Sequence, residues 1–355
     1  MLAPAPTLRS RLQRTGIRRS GAAQRGFRYR RANGAAVSGA ERRRIARPRV
    51  PPAWRKVAIA PRAGARLQAV GLDAAGRWQY LYDADHTARR ARRKFDRLLA
   101  FARALPAMRA ALRRDLALLG MPIERACAVA VLLLGVAALR PGTERYARAN
   151  GTFGLATLRP RHVSVNGAAV RLTFRGKHGV RQEQLLRGAR LARLVREMLR
   201  LPGRELFKYR DGGGLVRDLR AAHMNAYVKR AMGTRFTAKD FRTWCATLYC
   251  AGVLSRDTCA VVELLAMGAD QAAYSRSLAK LREQAIRQAL AMTAAWLGNT
   301  PAVVRESYVH PAVLEAFREG RGVAVALARP EVLAERVPRG LHAAERAVMR
   351  LIECV

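Results

Sequence analysis

Apolar and polar positions change period along the chain. Between residues 57 and 82, three short runs stand out: Val57-Ala58-Ile59-Ala60, Arg66-Leu67-Gln68-Ala69-Val70 and Trp78-Gln79-Tyr80-Leu81-Tyr82. Pro61-Arg62-Ala63-Gly64 and Asp73-Ala74-Ala75-Gly76 separate them. Strand-forming runs split by turn residues predict a small antiparallel sheet. From about residue 86 the spacing is helical. Phe95, Leu98, Leu99 and Phe101 form one apolar stripe, and Met108, Leu112, Leu116 and Leu119 form another. One island interrupts the helices. Val163, Val165, Val170, Leu172 and Phe174 alternate with period two about Asn166-Gly167, which predicts a β-hairpin. A second turn at Gly176-Lys177-His178-Gly179 leads to a third strand over 180–186. Helices are expected near 191–199, 223–232, 239–253, 260–267 and 278–297, with helical spacing again over 341–351. Thr237-Ala238-Lys239-Asp240 fits a capping box, which places Arg242 in the first turns of its helix.

These patterns predict an α+β protein. A small β-rich domain occupies residues 51–86, and its start can lie as early as residue 16. A larger, mostly helical domain with a three-stranded sheet occupies 87–355. The apolar stretch 126–139 is too short for a membrane span, which takes about 20 residues, and reads as a buried core helix.

Charge changes the picture for the first fifty residues. They hold fourteen arginines and one acidic residue, Glu41, and read as a basic arm, partly disordered until a polyanion is present. The whole chain has 67 Lys+Arg against 25 Asp+Glu, a net +42, and only seven of the 67 are lysine. Nucleic acid is therefore the expected partner. At 50% apolar residues the chain is no disordered basic tail, and its 355 residues suffice for two domains. Met1 to Ser20 contains no signal-peptide block. The five cysteines, Cys127, Cys245, Cys250, Cys259 and Cys354, show no CxxC pairing and read as reduced thiols of a cytoplasmic protein. Cys245, Cys250 and Cys259 lack a nearby histidine to complete a zinc set, so no metal is expected.

Three features could carry chemistry. Lys177 sits on a glycine-flanked turn that can project one ammonium into a groove. Arg140-Pro141-Gly142 fixes an arginine at the mouth of the buried helix. Asn299-Thr300-Pro301 is followed by Ser307-Tyr308-Val309-His310-Pro311. Each alone also fits a structural role: a solvated turn lysine, an arginine facing a helix C-terminus, a packing tyrosine.

Their order and spacing carry more. Arg140-Pro141-Gly142-Thr143-Glu144-Arg145-Tyr146, Phe153-Gly154-Leu155-Ala156-Thr157-Leu158, Phe174-Arg175-Gly176-Lys177, Lys239-Asp240-Phe241-Arg242-Thr243-Trp244, Asn299-Thr300-Pro301 and Ser307-Tyr308 together resemble the catalytic domain of small type IB DNA topoisomerases of bacteria and poxviruses. Gly26-Phe27-Arg28-Tyr29, Pro51-Pro52-Ala53-Trp54 and Gln79-Tyr80-Leu81-Tyr82 resemble the bacterial members. The resemblance runs from Gly16 to about Phe317.

It implies relaxation of supercoiled double-stranded DNA through transient cleavage of one strand, with neither ATP nor metal. Tyr308 matches the nucleophile that forms a 3′-phosphotyrosyl bond. Arg140 and Arg242 match arginines that clamp the non-bridging oxygens, and Lys177 matches the general acid for the 5′ oxygen. Asn299 stands where poxvirus enzymes carry histidine, so it offers a hydrogen bond but no proton. Gln79, Tyr80, Tyr82 and Tyr146 match DNA-contacting positions. The resemblance further implies a C-shaped clamp around the duplex, hinged near 83–91, and a monomer working at the nucleoid. A tyrosine recombinase shares the catalytic domain. The β-rich domain and the absence of a His-x-x-Arg box at Arg242 argue against it. A non-catalytic protein that merely coats DNA is a further alternative.

Overall fold

The computed structural model describes residues 7–265, 271–321 and 337–354. The chain forms two compact units, divided between Lys94 and Phe95.

In the first unit a helix, α1 (Leu8–Thr15), precedes strands β1 (Ile17–Ala22) and β2 (Gly26–Arg30). Helix α2 (Gly39–Ala46) and strands β3 (Arg55–Ile59), β4 (Leu67–Leu72) and β5 (Trp78–Tyr82) follow. The strands make one antiparallel sheet in the order β2-β1-β3-β4-β5. Its period-two alternation serves two small cores. Ala58, Ala60, Leu67 and Val70 pack with Leu12 of α1 on one face. Ile17, Val57, Ile59 and Ala69 pack with Ile45 of α2 on the other. The three strands expected from 57–82 are present.

The expected arm over residues 1–50 differs from what the structure contains. Residues 8–46 supply two helices and two strands of the same sheet. The reason lies in a few anchors. Leu12, Ile17 and Ile45 are at most 7% exposed. Arg19 donates to the carbonyls of Val50, Pro51, Pro52 and Trp54, the last at 2.7 Å. The Ser38–Glu41 capping box starts α2. One buried apolar residue in each of α1, β1 and α2 holds a segment whose other side chains are mostly charged and exposed. The segment 83–91, expected to form a hinge, lies in the first turns of α3 (Ala84–Asp115) apart from Asp83.

The second unit is mostly helical. After α3 come α4 (Ile123–Ala137), α5 (Glu144–Asn150), the sheet strands β6 (Val163–Asn166), β7 (Ala169–Arg175) and β8 (Arg181–Arg187), and α6 (Ala189–Leu199). A two-stranded ribbon, β9 (Lys208–Arg210) and β10 (Val216–Asp218), precedes α7 (Ala221–Met232), α8 (Ala238–Leu265), α9 (Gln271–Leu297), α10 (Pro301–Ser307), α11 (Pro311–Arg318) and α12 (Ala343–Glu353). The expected hairpin pairs Val165 with Val170 across Asn166-Gly167, with Gly167 at φ +52°, and β8 adds the third antiparallel strand. Helix α4 is buried on all sides and packs against α7 and α8. Its C-cap, Ala138, is left-handed at φ +47° and turns the chain toward Arg140. The helix expected over 260–267 is the end of α8 as far as Leu265; its last two residues lie outside the described ones. Helix α12 accounts for the spacing over 341–351. It is held by a buried ion pair, Arg109–Glu345 at 2.7 Å, to which Trp244 Nε1 donates at 3.3 Å. Among the described residues, no helix is long and apolar enough to cross a membrane.

Candidate active site

Four chain segments of the second unit meet at one place. The first leaves the C-terminus of α4 as Leu139-Arg140-Pro141-Gly142. Close packing against Phe153-Gly154 holds it. Leu155 N donates to Arg140 O at 2.8 Å and Ala156 N to Pro141 O at 2.8 Å. Gly142 is at φ +75°, and a Cβ on Gly154 would come within 2.7 Å of Arg140 O. Glycine is needed at both positions, one for its backbone angle and one for the close approach. Phe153 N in turn donates to Arg175 O at 2.7 Å, which ties this segment to the end of β7.

The second segment is the β7–β8 turn, where exposed Lys177 opens a single helical turn, Lys177–Gly179, with His178 at φ +63°. The third is the first part of α8. Asp240 accepts from Thr237 N at 2.9 Å and Oγ1 at 3.0 Å, and pairs with Arg97 at 2.5 Å. That cap starts the helix so that Arg242 points inward and is 4% exposed. The fourth is the turn from α9 into α10. Asn299 lies at its start, Thr300 caps α10 by accepting from Val303 N, and Tyr308 closes α10.

Arg242 joins these segments. Nη1 donates to Ala138 O and Nη2 to Leu297 O, each at 2.5 Å, and the guanidinium carbon lies 5.2 Å from the centre of the Tyr308 ring. Arg140 Nη2 donates to Asn299 Oδ1 at 2.5 Å. Arg242 Nε and Asn299 Nδ2 are buried N–H groups with no hydrogen-bond partner in the protein. Two donors without acceptors, one on the Arg242 guanidinium and one on the amide held by Arg140, make a cluster electrostatically suited to an anion.

The same charges act on the phenol. Burial alone would raise the pKa of half-buried Tyr308. Arg242 and Arg140 outweigh it, Lys177 adds to them, and the phenol is held below its ordinary value. Arg242 is itself lowered, by burial first and then by Arg140. The Tyr308 segment is fastened to α8. Thr247 Oγ1 lies 3.2 Å from Tyr308 O and accepts from His310 N at 3.2 Å, and Val309 is fully buried. His310 Nδ1 accepts from Ala312 N and caps α11. Thr247 was not singled out from the sequence; a threonine inside an apolar helix carries no signal of its own.

The structure thus brings Arg140, Arg242, Asn299 and Tyr308 together, with Lys177 near enough for its charge to reach the phenol. Tyr146 lies on α5, 61% exposed. In the first unit, Tyr80 and Tyr82 stack at 6.5 Å on the outside of the sheet, 42% and 37% exposed, so neither belongs to its core. Gln79 donates to Asp73 Oδ2 at 2.8 Å. Cys127, Cys245 and Cys250 are buried thiols pushed up to about 12 by burial. The side chain of Cys259 lies outside the described residues. Among those described, no group of three or more His, Cys, Asp or Glu could hold a metal ion.

Comparison with known proteins adds the family. Residues 84–323 match the eukaryotic DNA topoisomerase I catalytic core, and residues 26–73 match the bacterial DNA topoisomerase IB N-terminal domain. The chain is 32% identical over 282 residues to the DNA topoisomerase 1B of Acanthamoeba polyphaga mimivirus, covering 78% of this chain and 79% of that one. Among solved structures, it is similar to the XerH site-specific recombinase bound to difH substrate in a pre-cleavage complex. The TM-score there is 0.35 at 15% identity, over 58% of this chain and 49% of that one. A match over two-thirds of the chain to the catalytic core, together with the bacterial N-terminal domain, assigns the chain to the type IB DNA topoisomerases, isomerases that act on DNA.

Proposed function

We propose that Tyr308 is the nucleophile and that Arg140, Arg242, Asn299 and Lys177 serve the same phosphodiester. The phenolic oxygen attacks phosphorus, and a tyrosyl–phosphate bond forms at the 3′ end as the bond to the 5′ oxygen breaks. The proton of the phenol leaves to solvent. The Lys177 ammonium supplies a proton to the departing 5′ oxygen. Arg140, Arg242 Nε and Asn299 Nδ2 meet the charge that develops on the non-bridging oxygens. Rejoining reverses each step, and the tyrosyl–phosphate bond conserves the energy of the one it replaced, so no nucleotide is consumed. Between the two steps the free end swivels and supercoils of either sign relax.

The observation that supports this reading best is the position of the Tyr308 ring beside Arg242, next to two buried N–H donors without acceptors. Exposed Tyr80, Tyr82 and Tyr146, with Gln79, are proposed DNA contacts. The four groups around the phosphate, Arg140, Arg242, Asn299 and Lys177, belong to one chain, which supports action as a monomer; double-stranded DNA as substrate places its work at the nucleoid in this reading.

The test is relaxation of a supercoiled plasmid in EDTA without nucleotide, with SDS trapping of the protein–DNA adduct. Wild-type protein relaxes the plasmid and gives an adduct whose nucleotide maps to Tyr308 by mass spectrometry. Full relaxation by Tyr308→Phe would remove the tyrosine from this role. A recombinase would instead act through a tetramer on paired sites, so sedimentation of the DNA complex as a monomer counts against that alternative.

A further inference from the structure

Strand β8 carries two glutamines where an apolar residue is expected. Its inward positions are Gln182, Gln184 and Leu186, at 7%, 8% and 4% exposure. Burying a carboxamide is unfavourable unless its groups are bonded, so each glutamine calls for a polar task. Gln184 Nε2 donates to Ala137 O at 3.1 Å and Trp296 O at 3.4 Å. These carbonyls belong to the last turns of α4 and α9, where helix carbonyls lack partners in their own helix.

Arg242 takes the next carbonyl of each helix, Ala138 O and Leu297 O. Two residues beyond those, Arg140 donates to Asn299. The two outgoing segments are therefore bridged three times in matched register: 137 with 296, 138 with 297, 140 with 299. Only the first bridge comes from the sheet that bears Lys177. Gln182, whose Nε2 donates to Arg181 O at 3.4 Å, adds to this bridge by packing. A Cβ on Gly176, the neighbour of Lys177, would come 2.8 Å from Gln182 Cγ, and a Cβ on Gly298, the neighbour of Asn299, would overlap its carboxamide.

We propose that Gln184, assisted by Gln182, is a positioning residue that fixes the Lys177 turn against the segments carrying Arg140 and Asn299. The proposal rests on the reading of this cluster as the active site. Arg242 holds the Arg140 and Asn299 segments together without help from β8. Phe153 N still holds Arg175 O, two residues before Lys177, so loss of Gln184 should shift the Lys177 turn from its β8 side and leave Arg140 and Asn299 in place.

Gln184→Met keeps the length of the side chain and removes the donor. Single-turnover cleavage of a suicide DNA substrate should slow about 100-fold, the scale of a 1 Å misplacement, with DNA affinity unchanged. Three further measurements define the effect. In a Lys177→Ala background, Gln184→Met should slow cleavage no further, because both changes remove one function. On DNA with a sulfur leaving group at the 5′ bridging position, which departs without a proton, Gln184→Met and Lys177→Ala should both recover. Gln182→Met should show the same pattern more weakly, and it stands in for Gln184→Met if melting curves show that variant unfolded. Additive losses in the double variant, or no loss in the single ones, would overturn the coupling. Lys177→Ala that stays slow on the sulfur substrate would overturn instead the role of Lys177 as acid; the double variant would still decide the coupling.

Discussion

Arg140 and Asn299 reach each other across 159 positions of sequence, Nη2 to Oδ1 at 2.5 Å, and the amide nitrogen of the same asparagine stays buried and unbonded. Asn299 thus faces two ways: it orients a cation through its oxygen and offers a donor through its nitrogen. Asn299→Leu loses both functions and should slow single-turnover cleavage by about 10²–10³, the usual cost of one such donor. Asn299→Asp should be slower still, because its carboxylate neutralises Arg140 and repels a phosphate. An Asp variant as active as wild type would remove the donor role.

The cations around Tyr308 hold its phenol below the ordinary range. Lowering that pKa enlarges the reactive phenolate fraction at a given pH. Removing one cation weakens the effect, so the limb of the pH–rate profile that reports phenol ionisation should move to higher pH in Arg140→Gln. Single-turnover cleavage rates across the alkaline range would show it. An unmoved limb would mean that the phenol does not limit the step.

Two imidazoles should make the second unit sensitive to acid. Burial pushes both His162 and His310 down to about 4, and Arg161 and Arg159 add to the shift at His162. In the unfolded chain a histidine takes up a proton near pH 6.5, whereas these folded sites refuse it until about 4. Their contribution to stability is therefore complete above the unfolded value and falls between the two. Melting temperature should drop by several degrees over that window. His310→Asn, which can still accept from Ala312 N, should shrink the drop; an equal drop in the variant would exonerate His310.

Helix α12 is fixed by charge inside the molecule. Both Arg109 and Glu345 have side chains about 5% exposed or less. Removing one partner leaves the other buried and unpaired, at a cost of about 3–5 kcal/mol. Glu345→Leu should lose that much in denaturant unfolding, and Arg109→Met with Glu345→Leu should regain most of it. A single variant as stable as wild type would show that water reaches the pair.

Much of the fold follows from local pattern. The strands over 57–82 and the Asn166-Gly167 hairpin are bounded by turn residues, and helix α4 from Ala126 on is an unbroken apolar stretch of limited length, so they were legible. Residues 8–46 were only partly so: a start of the β-rich domain near residue 16 was legible, but the anchors Leu12, Ile17 and Ile45 are single apolar residues set among arginines. Truncation before Gly16 would take Leu12 from the sheet, not trim a loose tail. At the site, the individual residues were legible through resemblance and the assembly was not. Arg242 grips Ala138 O and Leu297 O, and Gln184 grips Ala137 O and Trp296 O. Backbone carbonyls have no residue type, so no sequence motif records these grips. A glutamine on a strand reads as a surface residue until its neighbours are known.

The anchorage of Tyr308 has a mechanical side. In the mechanism proposed above Tyr308 holds the cut strand, so the torque of an unwinding duplex would reach the protein in part through that side chain. The load enters at residue 308, passes through Thr247 and the buried Val309, and is delivered along α8 into the packed interior. Helix α10 has only seven residues, so by itself it would be a weak mount. Fastened to α8, it can bear twisting force without letting the strand end that the proposed mechanism places on Tyr308 drift from Arg140 and Arg242.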